Sequence, residues 1–250
     1  MMTNEPLSID MKVLFDNPDK EDREMGWGIS FLFNDQVLLD TAENGDLLMA
    51  GLNHFGVDIS LIRDVVISHD HWDHTGGLVT FLRAHPWSSD VRVWLPPSSS
   101  SQLKSTAEAT GAEVIYPKGP AEIQPGFRVT GELPGEWCNR PMTEQALIVE
   151  GSSTFAMFTA CAHPGVERML DYAIAITGGR TPAFMGGGFH LDDRSDLEVR
   201  QLIGQLQERG VKQVAPTHCT GLDAIVLFQE LYGDDCLSLG RFAVREILLD

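Results

Sequence analysis

Ser68-His69-Asp70-His71-Trp72-Asp73-His74-Thr75-Gly76-Gly77 follows directly on the apolar run Val65-Val66-Ile67. Three histidines and two aspartates fall within six residues, in a chain with only 8 histidines among 250 residues. Imidazole nitrogens and carboxylate oxygens are good ligands for zinc and similar divalent ions. A short buried strand over 65–67 would deliver this loop to a sheet edge. His69 and His71 can then converge on one ion while Asp73 and His74 face a second. Thr75-Gly76-Gly77 lets the chain turn tightly into a helix over about 77–84.

Working outward, strand-like runs occupy 7–16 and 28–40, separated by a charged, loop-like stretch over 17–27. A helix is predicted over about 46–55, with Asn44 or Asp46 near its start and Gly56 beyond its end. Then come a strand at 91–95, a loop at 98–101, a helix over about 100–110 stopped by Gly111, and a strand at 112–116. Residues 122–160 read as a run of antiparallel strands. Val166, Met169, Leu170, Ala173 and Ile174 recur at helical spacing, which predicts an amphipathic helix over 165–177. A strand at 182–185 and a helix marked by Leu197, Leu202, Ile203 and Leu206 follow. A strand at 211–216, a helix at 222–232 and final strands over 236–248 complete the chain. Strands interleaved with helices predict sheets covered by helices on their outer faces.

Three more histidines follow apolar strands. His163 stands in Cys161-Ala162-His163-Pro164-Gly165, at a strand-to-helix turn where site residues collect. His218 follows the strand over 211–216. His190 follows Gly186-Gly187-Gly188, glycines that would allow close approach to a ligand, and reads as a metal ligand, a proton donor or a substrate contact. Asp40 is either a carboxylate beneath the metal loop that orients a histidine or a turn-forming residue. Trp72 either walls the site or packs on the sheet. His54 and His85 read as surface residues.

The composition fits a globular protein, 43% apolar and 22% charged, with no convincing internal boundary, so residues 1–250 are expected to form one domain. The net charge of −18 repels phosphate backbones and anionic membranes, so neither nucleic acid nor a membrane is an expected partner. The four cysteines form no Cys-x-x-Cys pair, which disfavours a zinc knuckle or a disulfide scaffold. The N-terminal residues lack the pattern of a signal peptide, and no apolar run is long enough to span a bilayer, so the cytoplasm is the expected compartment.

The segment from Ser68 to Gly77 resembles the H-x-H-x-D-H signature of the metallo-β-lactamase superfamily. The resemblance extends through Gly28-Ile29-Ser30-Phe31-Leu32-Phe33, Leu38-Leu39-Asp40-Thr41, Cys161-Ala162-His163-Pro164-Gly165, Gly187-Gly188-Phe189-His190-Leu191 and Pro216-Thr217-His218-Cys219-Thr220-Gly221. Together these are similar to the subgroup of metal-dependent hydrolases related to dihydropterin methyl-ribofuranosylaminobenzene-phosphate synthase. The resemblance implies an α/β fold, a four-layer αββα sandwich, with metals between the edges of the two sheets. It implies two divalent ions, zinc first, with manganese or iron as alternatives.

The metal ligands expected are His69, His71 and His163 on one side, and Asp73, His74 and His218 on the other. This chain departs from many relatives of the wider family in two places. It has Thr143-Glu144-Gln145 where those relatives have a Gly-His pair, and Cys161 where they have a bridging aspartate. His163 would replace the missing histidine, and Cys161 either bridges as a thiolate or is a small core residue. His163→Ala is then expected to lose about one metal per chain, while Glu144→Gln keeps both.

The chemistry expected is hydrolysis of an ester or phosphoester small-molecule substrate by a metal-bound hydroxide. Asp73 would orient the hydroxide and His190 could protonate the leaving group. Two rivals stand beside it: a pterin-linked condensation at a phosphorylated ribose carbon, and a metal-retaining sensor or binding protein. A nuclease is disfavoured by the charge.

Overall fold

The structure is a computed structural model that describes residues 7–17, 19 and 23–250. Residues 1–6 and part of the charged 17–27 stretch lie outside the described residues. The first part of the chain runs β1 (Leu7–Asp16), β2 (Ile29–Phe33), β3 (Val37–Leu39), α1 (Gly45–His54), β4 (Asp64–Val66), α2 (Trp72–Thr75), α3 (Leu78–Ala84), β5 (Arg92–Trp94), α4 (Ser101–Glu108) and β6 (Glu113–Ile115). It continues through β7 (Ala121–Gln124), β8 (Phe127–Val129), β9 (Leu133–Trp137), β10 (Arg140–Glu144), β11 (Leu147–Glu150), β12 (Thr154–Thr159), α5 (Val166–Ile176), β13 (Thr181–Gly188), α6 (Asp196–Glu208), β14 (Gln213–Thr217), α7 (Leu222–Tyr232) and β15 (Val244–Leu249).

Period-two alternation sorts side chains between layers. In β2, Ile29, Phe31 and Phe33 face one apolar cluster and Leu32 the cluster on the other side. In β12, Ala156 and Phe158 face the same central cluster while Phe155 and Met157 face a third. The central cluster therefore joins two sheets, and the other two lie under helices: α1, α3 and α4 over the first sheet, α5, α6 and α7 over the second. This is the four-layer αββα sandwich expected. Phe33 anchors the middle, with Phe158 at 4.6 Å and Phe127 at 6.3 Å between ring centroids. Truncating Phe158 to alanine would cost about 3–5 kcal/mol.

The first sheet has the order β15-β1-β2-β3-β4-β5-β6 and the second β14-β13-β12-β11-β8-β7. Within them β3 to β6 are mutually parallel, as are β12, β13 and β14. β9 and β10 form a separate two-stranded ribbon.

Several expectations need correction. The run over 28–40 is two strands, because Asn34 and Asp35 both adopt positive φ (49° and 55°) and close a hairpin between β2 and β3. The 236–248 region holds one strand, β15, and Cys236 makes only an isolated bridge to Val214. Leu197 is exposed, and Val199, Ile203 and Leu206 carry the buried face of α6. His85 is buried rather than on the surface: its Nδ1 accepts the Trp87 N–H at 3.2 Å. His54 is exposed, as expected, and stacks on Phe242 at 3.9 Å.

Candidate metal centre

Parallel strands leave a crevice at their carboxyl ends, where loops converge. Asp40 follows β3 and the 68–74 loop follows β4. Cys161 and His163 follow β12, His190 follows β13 and His218 follows β14. The crevice joins the two sheets, so all the sequence-selected residues meet there. Asp40, Ala162, His190 and His218 adopt left-handed φ between 50° and 61°. Such a conformation costs roughly 1–2 kcal/mol per residue, a strain typical of functional sites.

The structure brings the expected residues together in two possible donor groups. His69, His71 and His163 offer ligand atoms within 4.8 Å of one another, and so do Asp73, His74 and His218. His69 Nε2 lies 3.1 Å from His71 Nδ1. His74 Nε2 lies 3.4 Å from Asp73 Oδ2, and His218 Nε2 lies 3.6 Å from the same oxygen. Asp73 and His74 do not sit on a free loop. They occupy the single helical turn α2, which starts after His71 and so turns them away from it. Gly76 and Gly77 serve packing rather than conformational freedom. A Cβ on Gly76 would meet the Glu43 carbonyl oxygen at 1.8 Å, and one on Gly77 the Thr41 carbonyl oxygen at 2.3 Å.

Two carboxylates orient the rings from behind. Asp40 Oδ2 accepts from His74 Nδ1 at 2.8 Å and from the Ser68 hydroxyl at 2.7 Å, while its Oδ1 accepts the Ser68 N–H at 2.7 Å. This is the supporting role that the sequence left open against a turn. Glu144 is the counterpart for His163. Its Oε1 accepts N–H groups of Ala160, Cys161 and Ala162, and its Oε2 accepts the His163 N–H at 2.9 Å and His163 Nδ1 at 3.0 Å. Each ring is thereby held by its Nδ1 with Nε2 left for a cation.

Burial alone would raise the Glu144 carboxyl, but His163, His69 and the Cys161 N–H outweigh it and hold the group well below the usual carboxylate range. Burial would likewise raise Asp73, and His74 and His218 overcome it, so Asp73 stays ionised. Burial first, then the neighbouring imidazoles, push His69 well down and His71 down to about 4, so both rings are neutral at physiological pH. Burial would also lower His74, but Asp73 and Asp40 reverse that and hold its imidazolium well above the ordinary value.

The donor chemistry fits divalent cations. Both ring nitrogens of His218 are buried without a hydrogen-bond partner among the described residues, an arrangement that suits a ligand. Cys161 Sγ lies 3.4 Å from His74 Nε2, between the two groups, and also forms a donor group with His69 and His74. Burial, with Cys219, Glu144 and Asp73 close by, keeps its thiol well above its ordinary pKa, so it would need a cation to ionise.

His190 is half-buried, with its ring 4.8 Å from that of His163. Two of the three glycines before it let the end of β13 pack against the end of β12: a Cβ on Gly187 would lie 1.8 Å from the Thr159 carbonyl oxygen and one on Gly188 2.1 Å from that of Ala160. Trp72 is exposed at 56% and lines neither the 710 Å³ cavity beside His163 nor the smaller one beside His218. Trp137, from the β9–β10 ribbon, covers His71 instead, at 4.7 Å between ring centroids. Cys219 is a site residue that sequence reasoning passed over, although it adjoins His218. A cavity of about 710 Å³ opens beside His163 and His190. Its charged lining comprises Glu136, Glu167, Asp193 and Glu198 against Arg194.

The family model for the metallo-beta-lactamase superfamily matches residues 35–127. The chain is 25% identical over 251 residues to 7,8-dihydropterin-6-methyl-4-(beta-D-ribofuranosyl)-aminobenzene-5'-phosphate synthase of Methanocaldococcus jannaschii, covering 83% of this chain and 85% of that protein. Among solved structures it resembles Tm1679, a metal-dependent hydrolase of the beta-lactamase superfamily, with a TM-score of 0.77 and 25% identity over 96% of this chain and 99% of that one. The metallo-beta-lactamase fold protein YhfI of Bacillus subtilis aligns over 96% of this chain and 100% of its own, with a TM-score of 0.70 at 13% identity.

Proposed function

We propose that this chain of the metallo-β-lactamase fold is a metal-dependent hydrolase acting on an ester or phosphoester of a small molecule. The observation that carries the reading is the pair of donor groups, His69–His71–His163 and Asp73–His74–His218, the first meeting the 710 Å³ cavity through His163 and the second meeting a smaller cavity through His218. When bound, two divalent ions, with zinc the first choice, would supply an acidified water and polarise the attacked carbonyl or phosphoryl oxygen. His69, His71 and His163 would hold one ion, and Asp73, His74 and His218 the other, with Cys161 between them.

The chain's own residues do the positioning. Asp73 stays ionised between the groups and can accept a hydrogen bond from an attacking water, fixing its direction. Asp40 and Glu144 hold His74 and His163 with Nε2 forward. The cavity carries four carboxylates against one guanidinium, so an anionic group of the substrate belongs at the donor groups. The remainder of the substrate would be neutral or rich in hydrogen-bond donors.

The 25% identity to the synthase favours a second reading, a condensation at a phosphorylated ribose carbon with loss of pyrophosphate and carbon dioxide. The test is a panel of aryl phosphodiesters, phosphomonoesters, thioesters and lactones, assayed with the zinc, manganese and iron forms. Metal-dependent turnover on one class is expected. No turnover on any, with pyrophosphate release from a phosphoribosyl pyrophosphate-type donor, would replace hydrolysis by the synthase reading.

A further inference from the structure

Behind the two donor groups lies a third whose chemistry differs. Cys161 Sγ, Cys219 Sγ and a ring nitrogen of His190 lie within 4.8 Å of one another. Metal–sulfur bonds of about 2.3 Å and metal–nitrogen bonds of about 2.0 Å around a tetrahedral ion put neighbouring ligands roughly 3.5–3.8 Å apart. Small side-chain rotations close the difference. Cys161 and Cys219 are both buried and both free of disulfides.

The surrounding backbone is shaped to bring these atoms together. A Cβ on Gly188 would come within 2.7 Å of Cys219 Sγ, so only glycine admits that sulfur beside β13. His190 and His218 hold left-handed φ of 51° and 50°, which turns each strand end sharply and brings His190 and Cys219 to the same place. His190 Nδ1 is buried with no hydrogen-bond partner, and the hydrolytic reading leaves Cys219 unused.

The position adjoins two cavities. His190 lines the 710 Å³ cavity, and Cys219 and His218 line a second of about 340 Å³ that shares Leu191 and Arg194 with it. Asp19, Asp192, Asp196 and Asp223 line the second cavity against Arg194, a lining that raises the local concentration of cations.

The geometry points to a third, sulfur-rich cation site formed by Cys161, Cys219 and His190, suited to a soft, thiophilic ion. Two thiolates and one imidazole prefer soft or borderline ions, whereas Asp73 and the histidine groups suit harder ones. Cys161 would be shared, since a thiolate can bridge two ions. His190 then acts as a ligand, one of the three roles the sequence left open beside proton donor and substrate contact. This site rests on the two-ion reading above, because Cys161 reaches it from the edge of the His74 group.

The test loads full-length protein with Cd²⁺ in the presence of a non-thiol reductant and counts bound ions by elemental analysis after gel filtration. In parallel, Co²⁺ loading reports sulfur ligation through the near-ultraviolet thiolate-to-cobalt charge-transfer band. Wild-type protein should take up a third equivalent of Cd²⁺. Cys219→Ser and His190→Ala should each stop at two. In Cys219→Ser the cobalt band should fall by about half, as two sulfur ligands become one. Circular dichroism checks that both variants are folded, and a variant that fails to fold leaves the other to decide. Saturation of wild type at two ions, with an unchanged cobalt band in Cys219→Ser, overturns the third site alone. Wild-type protein that binds no ion overturns the two-ion reading beneath it as well.

Discussion

Replacing Glu144 by glutamine swaps one carboxylate oxygen for an NH₂ group and leaves the volume nearly unchanged. Glu144 Oε1 serves three backbone N–H groups, and Oε2 serves the N–H and Nδ1–H of His163. An amide fits best with its oxygen on the three-donor side, so the new NH₂ faces the two donors of His163. Two donors then lose their acceptor inside a fully buried site, at about 1–3 kcal/mol each.

The ring has one escape: it can shift its proton to Nε2 and let Nδ1 accept from the new amide. That relieves one donor but puts a proton on the atom that faces the crevice, where a cation must bind. With the His163 N–H still without its acceptor, Glu144→Gln should therefore lower stability by about 1–3 kcal/mol, a fall in melting temperature on the order of 5 °C. It should weaken the His69–His71–His163 ion by about 10–100-fold.

Glu144 points at N–H groups rather than into the crevice, so this variant is still expected to keep both metals when ions are in excess. That expectation does not extend to affinity. Differential scanning calorimetry and competitive zinc titration against a chromophoric chelator make the two measurements. A variant with wild-type melting temperature and wild-type affinity at both sites would refute the reasoning.

Four further outcomes are expected. His163→Ala should lose about one ion per chain and nearly all activity, measured as metal content after dialysis with circular dichroism as control. Metal uptake at neutral pH should release about one proton per chain from His74, whose imidazolium Asp73 and Asp40 stabilise, and apparent affinity should rise with pH; calorimetry in buffers of different ionisation enthalpy counts the proton. Burial pushes Asp16 up to about 7, with Thr217 and His218 pulling it back, so the metal-free native state keeps a proton that the unfolded chain sheds near pH 4. That contribution is complete below about pH 4 and is lost as pH rises through about 7, so Asp16→Asn should gain stability over wild type in chelator at pH 8 but not at pH 4. With a net charge of −18, the protein should not bind generic RNA or DNA at physiological salt, and a salt-sensitive gel shift at low micromolar protein would contradict this.

The elements that the sequence revealed are those with local chemistry at their ends. Asn44 accepts the Leu47 N–H and Ser100 the Leu103 N–H, each fixing a helix start by a short-range bond. The 222–232 helix lies between Gly221 and Gly233, both at positive φ. The donor groups were legible because His69, His71, Asp73 and His74 are close in sequence and His163 and His218 follow apolar strands.

What stayed hidden depends on partners distant in the chain. The role of Glu144 is set by N–H groups 16–19 residues away, and nothing around Thr143-Glu144-Gln145 announces them. His85 is buried against Phe81 by the packing of α3, which a helix-end position alone does not reveal. Final strands were expected over 236–248, but only 244–249 forms a ladder, with β1, while Cys236 adds a single bridge to Val214.

The donor groups are divided between the two sheets in a way that orders events in time. The first sheet contributes His69 and His71 to one group and Asp73 and His74 to the other, and each group is completed only by a histidine from the second sheet, His163 or His218. A ribosome making this chain has produced two ligands of each group by residue 74, but the first group is completed only when residue 163 has emerged and the second only at residue 218. The last strand, β15, must still return to pair with β1 at the edge of the first sheet. Filling of both groups would consequently be a late event in the life of the polypeptide, one that follows the second sheet rather than seeding it.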